Sequence, residues 1–326
     1  MNAITGKKPV ELFDYNNLEK SYRELLKKHH PDVGGNQEDF LHITECYEIA
    51  KHEKSAGYAV GSDAIYIFKD KHCIFSDKKI DYSKIYEFSY GKVYDGSEYT
   101  VYEFTGSSVY DEILELKKNY GRTRPAPFPF PNAEIRDKFR LQVPYDIDFY
   151  QFFNKSERDR MFVVFKKEPG FILLSEIIPY KIPVETSVWM FNRLYALGCY
   201  MQMTDIYNLD ISPYTVLFSL ENHTVQLLGG WWYMTKEGQK MSKMPLATYN
   251  LLTNRMKDTK TASIEIVTEQ IKNVMRTILK DRDIPKPYRN WLSLPAQENI
   301  IDEYYQWEHE VLPKIFPVRK FYKWTI

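Results

Sequence analysis

Apolar positions recur with two different periods along this chain. Leu18, Tyr22, Leu25, Leu26 and His29 fall at helical spacing and make one stripe. Lys20, Arg23 and Lys27 lie about one turn apart on another face. Asn16, with Glu19 three residues on, reads as the capping signal of this helix. Pro31 stops it, because the residue before a proline avoids helical angles, and Gly34-Gly35 supplies a turn. Asn36, with Asp39 three residues on, caps a second helix with the stripe Phe40, Ile43, Tyr47 and Ala50. Two antiparallel helices joined by a short loop can bury these stripes against each other. A helix over residues 10–15 precedes them and is short. No fourth helix follows Ala56.

After Gly57 the pattern alternates. Residues 64–68, 85–89, 92–94 and 99–104 are rich in Ile, Val, Tyr and Phe and predict short strands. A helix is expected over 109–118, with Ile113 and Leu116 inward. Residues 122–131 are proline-rich and read as an extended connector, with a polyproline ligand as the alternative. Residues 161–165 and 171–174 predict a hairpin turning at Pro169-Gly170. From residue 184 onward the chain reads as mostly helical, with helices over 188–204, 264–280 and 297–312. The second of these carries Ile264, Val267, Ile271, Val274, Met275 and Ile278 on one side. Residues 236–260 read as surface loops and 281–287 as a turn. The expected fold class is α+β: a helical hairpin, a small β-rich unit and a larger helical unit.

Composition narrows this picture. A chain of 326 residues suffices for two or three compact units. Lys and Arg number 44, as do Asp and Glu, and this balance argues against bulk nucleic-acid binding. Cys46, Cys73 and Cys199 are widely spaced and odd in number, as reduced thiols of a cytoplasmic protein would be. No pair has metal-ligand spacing, and His72-Cys73 reads as strand filler. Residues 1–9 lack the apolar core of a signal peptide. Apolar stretches such as 171–174 and 225–228 are too short to span a membrane. Neither a metal nor a cofactor is expected.

The most specific feature is His30-Pro31-Asp32, between a basic helix and the Gly-Gly turn. This arrangement resembles a J-domain, the module by which DnaJ-type co-chaperones drive ATP hydrolysis on a DnaK-type chaperone. The resemblance implies that His30, Pro31 and Asp32 activate the chaperone. It also implies that Lys20, Arg23, Lys27 and Lys28 dock on an acidic chaperone surface. Exposed charges are individually weak and salt-screened, so several must act together. Pro31 fixes the loop, so Asp32 is presented with little ordering cost. The alternative is an ordinary helical hairpin with a basic surface face. With a short first helix and no fourth, the module is trimmed, and its missing support falls to the next domain.

Strands followed by helices is the order of a two-lobed protein kinase. Residues 171–178 look like the passage between lobes, and 188–204 like the long helix before the catalytic loop. Tyr207-Asn-Leu-Asp-Ile-Ser-Pro-Tyr-Thr-Val-Leu217 resembles a kinase catalytic loop. The combination of a J-domain with such a body is similar to bacterial and bacteriophage proteins whose kinase-like part is degenerate. The implied domains are 1–56 for the J-domain, 57–178 for the small lobe and 179–326 for the large lobe.

The chemistry departs from the kinase pattern. Phosphoryl transfer needs the phosphate charge neutralised, chiefly by divalent metal and a lysine. By resemblance Asp210 fills the position of the catalytic Asp. Thr215 replaces one metal ligand and Gly230 the other. The phosphate-pairing lysine is replaced by Tyr102, with Lys92 as the alternative. Ser89-Tyr90-Gly91-Lys92-Val93-Tyr94 stands where a glycine-rich loop belongs but has one glycine. Apart from the resemblance, Asp210 before Pro213 reads as a turn residue. Trp231-Trp232-Tyr233 reads as buried between lobes, with an exposed binding platform as the alternative.

The expectation is a J-domain co-chaperone with a catalytically inactive, client-binding kinase-like body. Its partners would be a DnaK-type chaperone and a client protein. An active atypical phosphotransferase using Asp210 is one alternative. A nucleic-acid adaptor is the other, using the basic and aromatic tail over 316–324, which otherwise reads as a strap closing the large lobe.

Overall fold

The computed structural model describes residues 4–68, 78–105, 109–122, 132–144, 147–152, 160–241, 243–317 and 324. The readings of His72-Cys73, of the proline run over 123–131 and of the tail over 318–323 lie outside them. Among the described residues no helix is long and apolar enough to cross a membrane.

The hairpin forms where the stripes place it. A single turn, α1 (Pro9–Leu12), and a 3-10 turn at Tyr15–Asn17 stand where a helix over 10–15 was expected. Helix α2 is Leu18–His29 and α3 is Gln37–Ala56. The Asn36 side chain accepts from Glu38 N at 2.9 Å and caps α3. The cap expected at Asn16 is displaced. Asp14 accepts from Asn16 N at 2.9 Å and from Asn17 Nδ2 at 2.8 Å, so the chain turns earlier and α2 starts after it. Tyr22 and Tyr47 stack across the helix pair with ring centroids 3.8 Å apart.

Where a fourth helix is missing, a small antiparallel sheet takes over. Its strands are β1 (Tyr58–Val60), β2 (Ala64–Ile67) and β3 (Lys78–Asp81), in that order. Ala59 joins the hairpin core of Phe13, Leu18, Ile43, Cys46 and Ala50, and Tyr66 and Phe68 pack against it. Tyr15 stacks on Phe68 at 4.6 Å, and Lys8 Nζ donates to Gly61 O at 2.9 Å.

Next comes an antiparallel sheet of β4 (Lys84–Phe88), β5 (Gly91–Asp95), β6 (Tyr99–Thr105), β7 (Ile147–Phe152) and β8 (Arg160–Lys166), in the order β4-β5-β6-β8-β7. Helix α4 (Tyr110–Arg122) and α5 (Ala133–Phe139) lie between β6 and β7 in the chain. The sheet is covered on both faces, and strand alternation distributes its side chains. Tyr94, Val101, Phe162 and Val164 face the small sheet, with Tyr58, Ile65 and Ile80. Val93, Tyr102, Phe104, Val163 and Phe165 face the helical part. This double burial explains why 161–165 is an unbroken apolar run.

The expected hairpin of 161–165 with 171–174 does not form. Both edges of β8 are already taken, by β6 and β7. Gly170, at φ +78°, turns the chain away. Strand β9 (Ile172–Leu173) instead pairs with Leu217 and Phe218, at one edge of a three-stranded sheet with residues 216–219 at its centre and 224–227 at its other edge, which belongs to the helical part. That part continues with α6 (Leu174–Ile177), α7 (Val184–Thr204), β10 (Tyr207–Asn208), β11 (Val216–Ser219), β12 (Thr224–Leu227) and β13 (Met234–Thr235). Helices α8 (Leu246–Leu251) and α9 (Asn254–Thr259) occupy the segment expected to be loops. Then follow α10 (Ile264–Ile278), α11 (Lys286–Ser293), α12 (Ile300–Gln306) and α13 (Leu312–Ile315). A π-helical stretch, Trp307–Val311, interrupts the single helix expected over 297–312. Phe316 and Trp324 pack partly against this core.

One buried ion pair ties α10 to α12. Lys272 Nζ bonds Glu303 Oε1 at 2.6 Å, with side chains 1% and 0% exposed. Tyr195 on α7 donates to the same oxygen at 2.8 Å, and Gln297 N donates to Oε2 at 2.7 Å. Removing one partner of a buried pair leaves the other charge uncompensated, a loss of about 3–5 kcal/mol. Chemical denaturation of Lys272→Met should show a destabilisation of that size. A loss below about 1 kcal/mol would mean that the pair contributes no more than a surface ion pair does.

The hairpin core closes only with residues after Gly57. A fragment of residues 1–56 should therefore melt broadly at low temperature by circular dichroism, as so small a core allows. A sharp transition at high temperature would show that β1 and β2 add nothing to it.

Candidate functional site

Two places gather the residues singled out from the sequence. The first is the turn between α2 and α3. Pro31–Val33 is a 3-10 turn, and His30 before it is extended at φ −67°, ψ 137°, as a residue preceding proline must be. The His30 ring packs edge-on against Phe40 at 5.1 Å. Its Nδ1 accepts from Asp32 N at 3.2 Å and lies 3.5 Å from Asp32 Oδ2. One face of this imidazole is thus anchored to the hairpin, and it holds the Asp32 backbone. The Asp32 side chain is 87% exposed. Lys20, Arg23, Lys27 and Lys28 are all exposed on α2, and Arg23 pairs with Glu19 at 3.4 Å. The four cations of α2 and the Asp32 carboxylate are thus all open to solvent.

The second place is the cleft between the five-stranded sheet and the helical part. Asp210, Thr215 and Gly230 meet there. Thr215 Oγ1 donates to Asp210 O at 2.7 Å, and Asn208 Oδ1 accepts from Asp210 N at 2.8 Å. Thr215 thus fastens the loop backbone, and its hydroxyl is used for that. Gly230 has φ +84°, and a Cβ there would lie 2.6 Å from Asp210 O and from Asn208 Oδ1. At Gly229 a Cβ would lie 2.6 Å from the Tyr102 hydroxyl. Neither position can carry a carboxylate without rebuilding the turn.

Tyr102 is fully buried on β6, and its hydroxyl donates to Tyr214 O at 2.6 Å. Lys92 is exposed on β5, and its ammonium lies 3.3 Å from Glu87. No lysine reaches the cleft from either strand. Gly91 has a structural reason of its own. A Cβ there would lie 2.1 Å from Glu103 O, so the glycine serves the approach of β5 to β6.

Tyr90, at the β4–β5 turn, is the residue whose role the sequence did not reveal. Its hydroxyl donates to Asp210 Oδ2 and accepts from Trp232 Nε1, the latter at 3.3 Å. Its ring packs on Phe88, Phe104, Trp232 and Tyr233. Trp231, Trp232 and Tyr233 are buried, as the first of the two readings expected. The only signal available was an aromatic residue at a turn tip facing a chain rich in aromatics.

Burial pushes the Asp210 carboxyl up to about 6, against the downward pull of the Tyr90 hydroxyl. Burial and the neighbouring carboxylate hold the Tyr90 phenol well above its ordinary value. No cation contributes to either shift. Among the described residues that line the cleft there is no Lys, Arg or His. Among the described residues no three His, Cys, Asp or Glu side chains gather in metal-binding geometry.

No protein-family model matches the chain, and the comparison with curated proteins returned no match. Among solved structures the chain is similar to one described as the crystal structure of the BubR1 kinase domain. The identity is 11% and the TM-score 0.47, over 80% of this chain and 84% of that one.

The raised Asp210 carboxyl has a consequence for stability. Its ordinary value is 3.8, so between that pH and about 6 the folded chain holds a proton that the unfolded chain has released. Stability then falls as pH rises through this window, by up to about 3 kcal/mol. Asp210→Asn removes the buried charge and keeps the Tyr90 acceptor. Thermal melts should show this variant more stable than wild type above about pH 7, with the gap closing below about pH 4. An equal gap at every pH would show that the effect is not ionisation.

Proposed function

We propose that this chain is a J-domain co-chaperone whose body is a catalytically degenerate kinase-like fold. Its His30-Pro31-Asp32 turn recruits and stimulates a DnaK-type chaperone in the cytoplasm. The body acts as the module that engages a client protein. The observation that carries the reading is the turn itself. His30 is anchored on Phe40 and on the Asp32 backbone, which leaves the Asp32 carboxylate in solvent, after a helix that carries four exposed cations. Helix, proline, exposed acid and glycine turn occur together in the arrangement that a J-domain implies.

The second half of the reading is supported by a five-stranded antiparallel sheet followed by a helical unit, with the cleft between them. It is also supported by what fills that cleft. Tyr102, which this reading sets in the place of the phosphate-pairing lysine, is buried with its hydroxyl on Tyr214 O, and the Tyr90 hydroxyl donates to the Asp210 carboxylate. The chain at Gly229-Gly230 has no room for a metal-binding side chain. Kinase acceleration is largely positioning and electrostatics around bound metal, so Asp210 alone has little to act upon. The residues present do not fit a metal–nucleotide complex, and no step of phosphoryl transfer is assigned to them.

Asp32→Asn removes one charge and keeps the shape of a side chain with no core role. A charge-assisted hydrogen bond contributes roughly 1.5–3 kcal/mol, so stimulation of the cognate chaperone ATPase should fall about tenfold or more. Reversing Lys20, Arg23 and Lys27 together should weaken docking in a salt-dependent manner. Wild-type stimulation by Asp32→Asn would sink the assignment and leave the hairpin merely structural. For the body, a thermal shift assay should give no magnesium-dependent rise in melting temperature with ATP. A clear rise would restore the phosphotransferase alternative.

A further inference from the structure

The cleft is closed to phosphates but it is not full. A cavity of about 510 Å³ lies between the β4–β5 turn and helices α8 and α10. Phe88, Tyr90, Tyr214 and Trp232 line it with aromatic surface. The ionisable carboxylates on its wall are those of Glu87 and Asp210, and no Lys, Arg or His is among the described residues that line it. Asp210 is 5% exposed. Tyr90 satisfies its Oδ2, and no described group donates to its Oδ1. The carboxamide of Asn273 also borders the cavity and makes no side-chain hydrogen bond among the described residues.

A buried carboxylate with an open lone pair and no counter-ion is costly unless something neutralises it. Aromatic faces add attraction for cations and none for anions. The neighbouring lysines are engaged elsewhere. The Lys92 ammonium lies 3.3 Å from Glu87, which leaves Asp210 as the carboxylate of the cavity without a paired cation among the described residues. Lys243, Lys257 and Lys260 line a second cavity on the far side of Tyr90. Lys243 is held there by Glu112 at 3.1 Å and Asp111 at 3.6 Å, and Lys257 sits over the Tyr249 ring at 5.1 Å.

We propose that the Asp210 cavity is a binding site for an organic cation, an alkylammonium or guanidinium group that pairs with Asp210 Oδ1 between the rings of Tyr90, Tyr214 and Trp232. A site that kinase-like chemistry would give to a nucleotide thus has the opposite charge preference. The group has two possible sources, a free amine or the side chain of a lysine or arginine in a bound protein segment. The inference rests on the cleft alone and not on the chaperone reading.

Isothermal titration of the full chain at about pH 8, where the carboxylate is ionised, tests it. The probes come in isosteric pairs. One is hexylammonium against hexanol. The other is the blocked peptide Gly-Lys-Gly against the same peptide with norleucine in place of lysine. Each cation should bind at least about tenfold more tightly than its neutral isostere, and whichever pair shows the larger ratio identifies the source. Asp210→Asn, which the carboxyl's burial makes more stable, should reduce the ratio to near one. Trp232→Phe should lower it without abolishing it. The proposal is overturned if neutral and charged probes bind alike, or if Asp210→Asn keeps the preference. It is equally overturned if neither cation binds up to about 10 mM.

Discussion

The close approach of Tyr102 to the Gly229-Gly230 turn governs the cleft. The tyrosine hydroxyl occupies the space that any side chain at 229 would need, and it is locked to Tyr214 O. The chain must therefore pass as bare backbone, with Gly230 in the left-handed region. That backbone tips Trp231–Tyr233 inward. Trp232 then packs on Tyr102 at 5.0 Å and on Phe104 at 4.8 Å, and its indole nitrogen reaches Tyr90. Tyr90 in turn reaches Asp210. A place that could have held a charged ligand and its counter-charges is occupied by a continuous set of aromatic contacts. The Asp210 carboxylate there accepts from the Tyr90 phenol and has no cation paired with it among the described residues.

The same strands serve two interiors. Along β6, Val101 faces the small sheet and Tyr102 the cleft. Along β8, Phe162 and Val164 face one way and Val163 and Phe165 the other. A strand of period two can do this at no conformational expense. The hairpin is thereby joined to the cleft through packed layers: hairpin core, small sheet, central sheet, aromatic cleft. The helical hairpin is thus closed by strands that also pack on the central sheet.

Legibility from the sequence followed the range of the interaction. The two hairpin helices were visible because their stripes are local, and the proline, the turn glycines and the Asn36 cap all act within a few residues. Helices α7 and α10 were visible for the same reason. Strands β2, β4, β5, β6 and β8 were visible within a residue or two of their observed ends. β7 was missed beside the proline-rich run, and β10 and β13 are too short to alternate. The hairpin expected at Pro169-Gly170 failed because the turn was read correctly but the partner was not. Edge occupancy of β8 is a property of the sheet, absent from the segment itself.

Sequence alone determined residue type and spacing: His30-Pro31-Asp32 follows a basic helix, and neither Thr215 nor Gly230 offers a carboxylate near Asp210. Both facts hold in any fold. Tertiary structure decided which of these residues meet, and what surrounds them. Residues distant in sequence, Tyr90 with Asp210 and Tyr102 with Gly229, meet only after the sheet closes on the helical part. The contacts depend on where a side chain ends and how nearly two backbones approach, and no local pattern encodes either.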